Sequence, residues 1–305
     1  MKRILIMLST YNGEKYIREQ LNSLYAQEGV DIHILVRDDG SNDGTIDVLE
    51  QYRKTNGRMT ILSESNIGCA DSFFTLIKYA NNFGGNFSYY AFCDQDDVWL
   101  PNKLKVASEK LDTYSEIRKL YFSGAYYVDE KLNYIQEKVV CDKFDYKSCL
   151  YNQPALGCTM VFTKSLLECC ARAPVPAPEL HDAWMFLCVN YLPSRIIADN
   201  NPTVNYRQHG DNVSTSIVRS PLLRYIRAFK RRIIQKPGQT SSVVEAFVNT
   251  YRIEIDSSKM SFLDCIINYK KSIGNTLRLL REQPFSLCSI FERTCWRMLV
   301  ILRLL

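Results

Sequence analysis

Residues 1–24, MKRILIMLSTYNGEKYIREQLNSL, hold a complete strand, turn and helix. Ile4 to Leu8 make an apolar run, which predicts a buried strand. Ser9-Thr-Tyr-Asn-Gly13 breaks that run. Tyr16, Ile17, Leu21 and Leu24 then recur at helical spacing. The unit repeats downstream, with Ile32–Val36, Met59–Leu62 and Tyr89–Phe92 reading as further strands. Helices carrying Ile46, Leu49 and Tyr52, then Phe73, Phe74, Ile77 and Tyr79, lie between them. This alternation predicts an α/β fold, a Rossmann-like, mostly parallel sheet flanked by helices.

The pattern loosens after residue 120. Tyr121–Val128, Thr159–Phe162 and Ile196–Ala198 read as strands, and a helix begins near His181 after the proline turn APVPAPE (173–179). A final helical extension follows. Its first helix, 222–236, puts Leu222, Ile226, Phe229 and Ile233 on one face and Arg224, Arg227, Arg231 and Arg232 around the other. The chain is thus expected to divide into a domain at 1–217 and a basic amphipathic helical tail at 218–305.

Charge follows the same division. The 305 residues carry 38 Lys+Arg and 33 Asp+Glu. Residues 1–217 hold 22 basic and 27 acidic residues, whereas 218–305 hold 16 and 6. A nucleic-acid reader would carry its positive face on the folded domain, so that class is excluded. A basic tail fits an anionic membrane surface, and its alternative is a solvated or packed helix face. No run of 18 uncharged apolar residues predicts a span. Ile4 to Leu8 is too short for a signal-peptide core and lacks a small-residue cleavage site after it. Eleven cysteines without CxxC or zinc-ligand spacing point to a reducing, cytoplasmic setting.

Polar residues gather where the strands end: Ser9–Gly13, Arg37-Asp-Asp-Gly-Ser41 and Cys93-Asp-Gln-Asp-Asp97. Ligands of open α/β sheets bind outside the carboxyl ends of strands, so these three segments outline one pocket edge. Asp94, Asp96 and Asp97 repel one another unless a cation or a set of donors neutralises them. Hard oxygen ligands suit Mg²⁺ or Mn²⁺ bridging a diphosphate, and an acidic capping loop is the plainer alternative. Asp38-Asp39-Gly40-Ser41 is either an ordinary turn or a site for the imide N–H of uracil or thymine. Asp182 is either a helix cap or a general base for an acceptor hydroxyl. His209 offers an imidazole to the metal, and Arg207 a guanidinium to phosphate oxygens. GxGxxG, GxxxxGK[ST] and GxSxG are all absent, which argues against a dinucleotide fold, a P-loop NTPase and an α/β-hydrolase.

Taken in order, LSTYNGEKYIREQLNSL (8–24), RDDGSNDGT (37–45), NIGCADSF (66–73), FCDQDDVWLPNKL (92–104), LGCTMVF (156–162), HDAW (181–184) and YRQHGDN (206–212) resemble a family 2 glycosyltransferase of GT-A fold. DQDDVW with HD and YRQH is most similar to bacterial rhamnosyltransferases that build cell-wall or capsular polysaccharides. The resemblance implies inverting transfer of a sugar from a nucleotide diphosphate, dTDP-L-rhamnose or otherwise a UDP-hexose, to a saccharide or polyprenyl-diphosphate-linked acceptor. It implies that Thr10, Tyr11, Asn12, Glu14, Asp38, Asp39, Asn66, Gly68, Asp94, Gln95, Gly157 and Arg207 line the donor. It further implies that Asp94, Asp96 and His209 hold a divalent metal, Mg²⁺ or Mn²⁺. Asp182 matches the catalytic base, with His181 and Trp184 on the acceptor side. Many relatives have Glu where this chain has His181, and glycine where it has Cys158. Two other classes stand beside it. A sugar nucleotidyltransferase would carry a glycine-rich Arg-Pro-Leu segment after strand one, which is missing. A non-catalytic carbohydrate-binding scaffold would have lost the metal and base residues, which are present. The expected location is cytoplasmic, peripheral at the inner face of the cell membrane.

Overall fold

The computed structural model describes residues 1–140, 145–150, 153–174, 179–210, 239–281 and 290–305. Two compact units are present. The first comprises Met1–Asp142, Pro154–Val189 and Pro193–His209; the second comprises Lys143–Gln153, Asn190–Leu192 and Gly210–Leu305. The expected boundary at 217 and the expected helix at 222–236 lie outside the described residues.

The first unit is built on β1 (Lys2–Thr10), β2 (Val30–Asp38), β3 (Met59–Ser63), β4 (Tyr89–Cys93), β5 (Val98–Trp99), β6 (Lys119–Val128), β7 (Tyr134–Lys138), β8 (Val161–Phe162) and β9 (Arg195–Arg207). They form one sheet in the order β3-β2-β1-β4-β8-β6-β9-β5, with β7 pairing β6. The pairs β1–β2, β2–β3, β1–β4 and β6–β9 are parallel. Short β8 is antiparallel to both β4 and β6 and joins the two parallel halves.

Ile4 to Leu8 are fully buried, as a strand covered on both faces requires. The covering helices include α1 (Ile17–Tyr25), α2 (Thr45–Asn56), α3 (Cys69–Asn82) and α4 (Lys103–Asp112). Ile17, Leu21 and Leu24 of α1 and Leu104, Ala107 and Leu111 of α4 recur at helical spacing and reach zero exposure. Two shorter helices, α5 (Lys164–Cys170) and α6 (His181–Tyr191), follow. The chain leaves β1 toward β2 on one side and meets β4 on the other. The β1–β4 seam is therefore the point where strand order reverses, the usual crevice of such sheets.

Two expectations change in detail. Thr159 ends a 3₁₀ turn, Gly157–Thr159, and the strand is confined to Val161–Phe162. Ile196–Ala198 is only the start of β9, whose 13 residues continue through Asp199-Asn-Asn-Pro202 by slipping register against Ser123 and Gly124.

The second unit is helical: α7 (Gln239–Tyr251), α8 (Ser257–Asn268), α9 (Ile273–Arg281) and α10 (Ile290–Ile301). Val244, Phe247, Val248, Leu263, Ile266, Leu279 and Trp296 make its core. Asp256 caps α8 through Ser258 N–H at 2.9 Å. No helix among the described residues is long and apolar enough to cross a membrane.

Candidate active site at the β1–β4 seam

The carboxyl end of β1 is held to that of β4 by one side chain. Gln95 Oε1 accepts from Thr10 Oγ1 (2.6 Å) and Tyr11 N–H (2.9 Å), while its Nε2 donates to Tyr11 C=O (3.1 Å). Thr10 and Gln95, expected on the donor, therefore spend their polar atoms on each other, and the 45% exposed Tyr11 ring is left outward. Asn12 is in the left-handed region (φ 48°); its N–H donates to Ser41 Oγ (2.8 Å) and its Oδ1 accepts Asn42 N–H (3.0 Å). Glu14 accepts Gly44 N–H (2.9 Å). Both stitch the loop after β1 to the loop after β2.

Asp38 and Asp39 divide the work at the end of β2. Asp38 folds the turn, accepting Ser41 Oγ (2.5 Å) and Ser41 N–H (2.9 Å). Asp39, 3% exposed, accepts Arg37 Nη1 (2.5 Å) and Ile67 N–H (2.8 Å) on Oδ1 and Gly68 N–H (2.9 Å) on Oδ2. Gly68 (φ 87°) is the residue before α3, so Asp39 fixes where that helix begins. Asn66 stands exposed on the same loop.

Beyond β4 the chain enters Asp94-Gln-Asp-Asp97. Asp96 Oδ2 lies 2.7 Å from His209 Nε2, and the Tyr16 ring packs 4.9 Å from the imidazole. Burial, then the charges of Asp96 and Asp182, push the Asp94 carboxyl well above the usual range. Burial, then Asp96 and Asp94, do the same to Asp97. Such mutual repulsion is what a bound cation relieves. The carboxylate oxygens of Asp94 and Asp96 suit Mg²⁺ or Mn²⁺, and His209 adds an imidazole beside Asp96. Among the described residues, the group whose ligand atoms all lie within 4.8 Å of one another is Asp94, Asp97 and Cys158, with Asp97 and Cys158 buried.

Arg207 departs from expectation. Its guanidinium is 1% exposed; Nε donates to Asp96 C=O (2.7 Å), and the two terminal nitrogens donate to Glu130 C=O and Glu19. Its backbone N–H donates to Asp97 Oδ1 (3.0 Å). The expected phosphate contact is corrected: Arg207 holds the acidic turn against β9, and its charge is consumed inside the protein.

Asp182 sits in the first turn of α6, half-buried, accepting Ala183 N–H at 2.8 Å. Its charge reaches both Asp94 and Cys69. The acceptor-side expectation for His181 and Trp184 is corrected by burial. His181 is 5% exposed, stacked on Phe73 (3.7 Å between centroids) and edge-on to Phe92 (4.5 Å). Among the described residues neither ring nitrogen has a partner, and burial holds its pKa down to about 3. Trp184 is fully buried against Phe74. Gly157 is a contact point: a Cβ there would lie 2.8 Å from His181 Nε2 and 3.4 Å from Asp182 Cβ.

Sequence patterning overlooks three groups. Arg37, 1% exposed, binds Asp39, Glu64 Oε2 (3.1 Å), Ser65 C=O (3.0 Å) and Ser72 Oγ (3.1 Å). Cys69 is exposed at the start of α3, yet its thiol is pushed up to about 12 by desolvation from the protein packed near it and then by Asp94, Asp182, Asp39 and Asp96. Lys103 is fully buried with Nζ 3.7 Å from the Trp99 ring centroid, and burial lowers its pKa to about 8.

The fold that carries this crevice has counterparts among known proteins. Residues 5–143 match the model of glycosyl transferase family 2, and the chain belongs to that family. The dTDP-rhamnosyl transferase RfbG of Shigella flexneri is 31% identical over 216 residues, covering 67% of this chain and 72% of that one. The UDP-Glc:alpha-D-GlcNAc-diphosphoundecaprenol beta-1,3-glucosyltransferase WfgD of Escherichia coli is 29% identical over 200 residues, 65% of this chain and 71% of that one. The crystal structure of S. aureus TarS 1–349 with UDP-GlcNAc superposes with a TM-score of 0.55 at 16% identity, covering 99% of this chain and 91% of that chain. The architecture is accordingly GT-A.

Proposed function

We propose that this family 2 glycosyltransferase moves L-rhamnose from dTDP-L-rhamnose to a hydroxyl of a growing cell-surface saccharide or lipid-linked oligosaccharide, with inversion. The donor assignment rests on the likeness to RfbG. The observation that carries the chemistry is the 2.7 Å approach of His209 to Asp96, beside an Asp94 whose charge is opposed by Asp96 and Asp182. Asp96, His209 and Asp94 are the residues that would hold a divalent metal, which when bound supplies positive charge to the departing diphosphate.

Asp182 acts as the base. It takes the acceptor hydroxyl proton as that oxygen bonds to the anomeric carbon and the bond from that carbon to the diphosphate oxygen breaks. Attack from the face opposite the leaving group inverts the configuration. Asp39 accepts the imide N–H of the pyrimidine. Asn66 and Gly68, on the loop that Asp39 fixes, border the nucleotide, and Gly157 borders the donor sugar. A UDP-hexose donor is the second reading, favoured by the likeness to WfgD.

The second unit is proposed to rest on the anionic inner face of the cell membrane. Lys270, Lys271, Arg278, Arg281, Arg297 and Arg303 are exposed on this unit, as are Ile273 (77% exposed), Leu277, Ile301 (63%) and Leu302. Each such basic residue gains about 1 kcal/mol near an anionic leaflet.

Calorimetry with dTDP-L-rhamnose, UDP-glucose, UDP-galactose and GDP-mannose, with Mg²⁺ or Mn²⁺, tests the donor. Metal-dependent binding of dTDP-L-rhamnose alone is expected, and binding of UDP-glucose in its place overturns the rhamnosyl assignment.

A further inference from the structure

Arg37 is a buried group that the proposed chemistry leaves unused, and its placement bears on which bases the site accepts. A carboxylate offers about four lone-pair positions, two on each oxygen. Asp39 Oδ1 has both occupied, by Arg37 Nη1 at 2.5 Å and Ile67 N–H at 2.8 Å. Oδ2 has one occupied, by Gly68 N–H at 2.9 Å. Among the described residues one acceptor position remains, and it is on Oδ2.

The arrangement is held from several sides. The Arg37 guanidinium also donates to Glu64, Ser65 C=O and Ser72 Oγ, and Ser72 Oγ lies 2.6 Å from Ser9 Oγ on β1. Rotating Arg37 away from Asp39 would also break its bonds to Glu64, Ser65 C=O and Ser72 Oγ, so Oδ1 stays filled. The backbone donors at Ile67 and Gly68 are fixed by the start of α3.

We infer that Arg37 is a positioning residue that sets base selectivity, by leaving Asp39 able to accept a single hydrogen bond. The inference rests on the reading of Asp39 as the base acceptor. Uracil and thymine present one imide N–H and match one open position. Guanine presents two adjacent donors, N1–H and the 2-amino group, which need both carboxylate oxygens. With Oδ1 filled, one of guanine's donors enters the site without a partner, which is costly in a dry pocket. The site therefore takes a uracil or thymine nucleoside diphosphate and rejects guanine on hydrogen-bond count, independently of ring size.

The probes are UDP, dTDP, N3-methyl-UDP, inosine diphosphate and GDP, measured by calorimetric competition. Inosine diphosphate has the size of GDP and lacks only the 2-amino group, so the ratio between them isolates the second hydrogen bond. In the wild type, N3-methyl-UDP should bind at least about tenfold more weakly than UDP, the loss expected of a hydrogen bond to a charged group. GDP should bind no more tightly than inosine diphosphate. R37M, which frees Oδ1, should move the GDP-to-inosine-diphosphate ratio toward GDP by about tenfold. R37K, which restores a donor, should return it toward the wild-type value. N3-methyl-UDP binding as tightly as UDP sinks the reading of Asp39, and the role of Arg37 with it. A normal loss with N3-methyl-UDP, combined with GDP preferred over inosine diphosphate in the wild type or an unchanged ratio in R37M, overturns the role of Arg37 alone. Circular dichroism checks that R37M folds; if it does not, the wild-type comparison decides.

Discussion

Asp96 and His209 are 113 residues apart in the chain, yet Asp96 Oδ2 and His209 Nε2 approach to 2.7 Å. The contact joins the turn after β4 to the residue two beyond the end of β9. Asp96→Ala and His209→Ala are each expected to abolish metal-dependent donor binding in calorimetry and to lower kcat/KM by about 100-fold or more, the scale of losing one electrostatic stabiliser. Metal-dependent binding left intact in both variants would remove this pair from the metal site.

Asp182 faces the same acidic group from α6 and is proposed to have a different task. Asp182→Asn should lower kcat by about 10²- to 10⁴-fold while leaving donor affinity near wild type, because a general base acts on the acceptor. A loss confined to donor binding would reassign it. Gly157→Ala probes the same turn, since its new methyl would press on His181 Nε2 and on Asp182 Cβ. It should lower kcat by displacing Asp182, by about tenfold if the shift approaches 1 Å.

His181 makes stability depend on pH. Its folded pKa, about 3, lies below the ordinary value near 6.5, so between those limits the unfolded chain binds a proton that the folded chain refuses. Its contribution is full above about pH 6.5 and is lost as pH falls toward 3. The loss is about 2 kcal/mol by pH 5. His181→Phe keeps a ring between Phe73 and Phe92 and removes the titration. Thermal melts at pH 7 and pH 5 should show a smaller acid shift in the variant. Asp94 and Asp97 titrate in both proteins and cancel in the comparison. An equal shift in both proteins would contradict the burial argument.

The membrane proposal for the exposed basic and apolar residues of the second unit is open to a flotation assay. Wild type should float with vesicles containing anionic lipid and stay behind with neutral ones. Replacing Lys270, Lys271, Arg278 and Arg281 with alanine should lower the partition constant more than tenfold, at about 1 kcal/mol for each residue. Replacing Ile273 and Leu277 with serine should weaken it further. Equal flotation of wild type and both variants would sink the membrane surface.

Much of the first unit can be read from its residues because the physics is local there. Ile4–Leu8 and Ile32–Val36 are unbroken apolar runs ended by polar turns, and strands buried on both faces leave that signature. Asp94, Asp96 and Asp97 stand out because carboxylates repel and seldom cluster without a cause, and His209 because it is one of three histidines in the chain. The exposed strand β7 has no apolar run to reveal it. The polar middle of β9 hides its true length, which only pairing with β6 supplies. Side-chain direction is equally invisible. Gln95, Glu14, Asn12, Asp38 and Arg207 are the residue types a donor would want, at the place it would want them. Each instead satisfies a neighbouring loop, because polar groups at a strand end must first be paired within the protein. His181 shows the reverse: a polar type in a polar motif, placed in an aromatic core by the packing of α3 against the strand beneath it.

The ties that Arg207 makes also have a timing. Its backbone N–H reaches Asp97 across 110 residues of chain, and its side chain holds the Asp96 carbonyl. A ribosome extending the chain at about 5–20 residues per second takes roughly 6 to 20 s to travel that distance. Throughout that interval the nascent protein carries its densest cluster of negative charge on a turn with no clasp, and β6 has no parallel neighbour. The sugar-transfer machinery is therefore among the last parts of this unit to exist during synthesis, and a chain released before β9 would carry the donor-side loops without the means to use them.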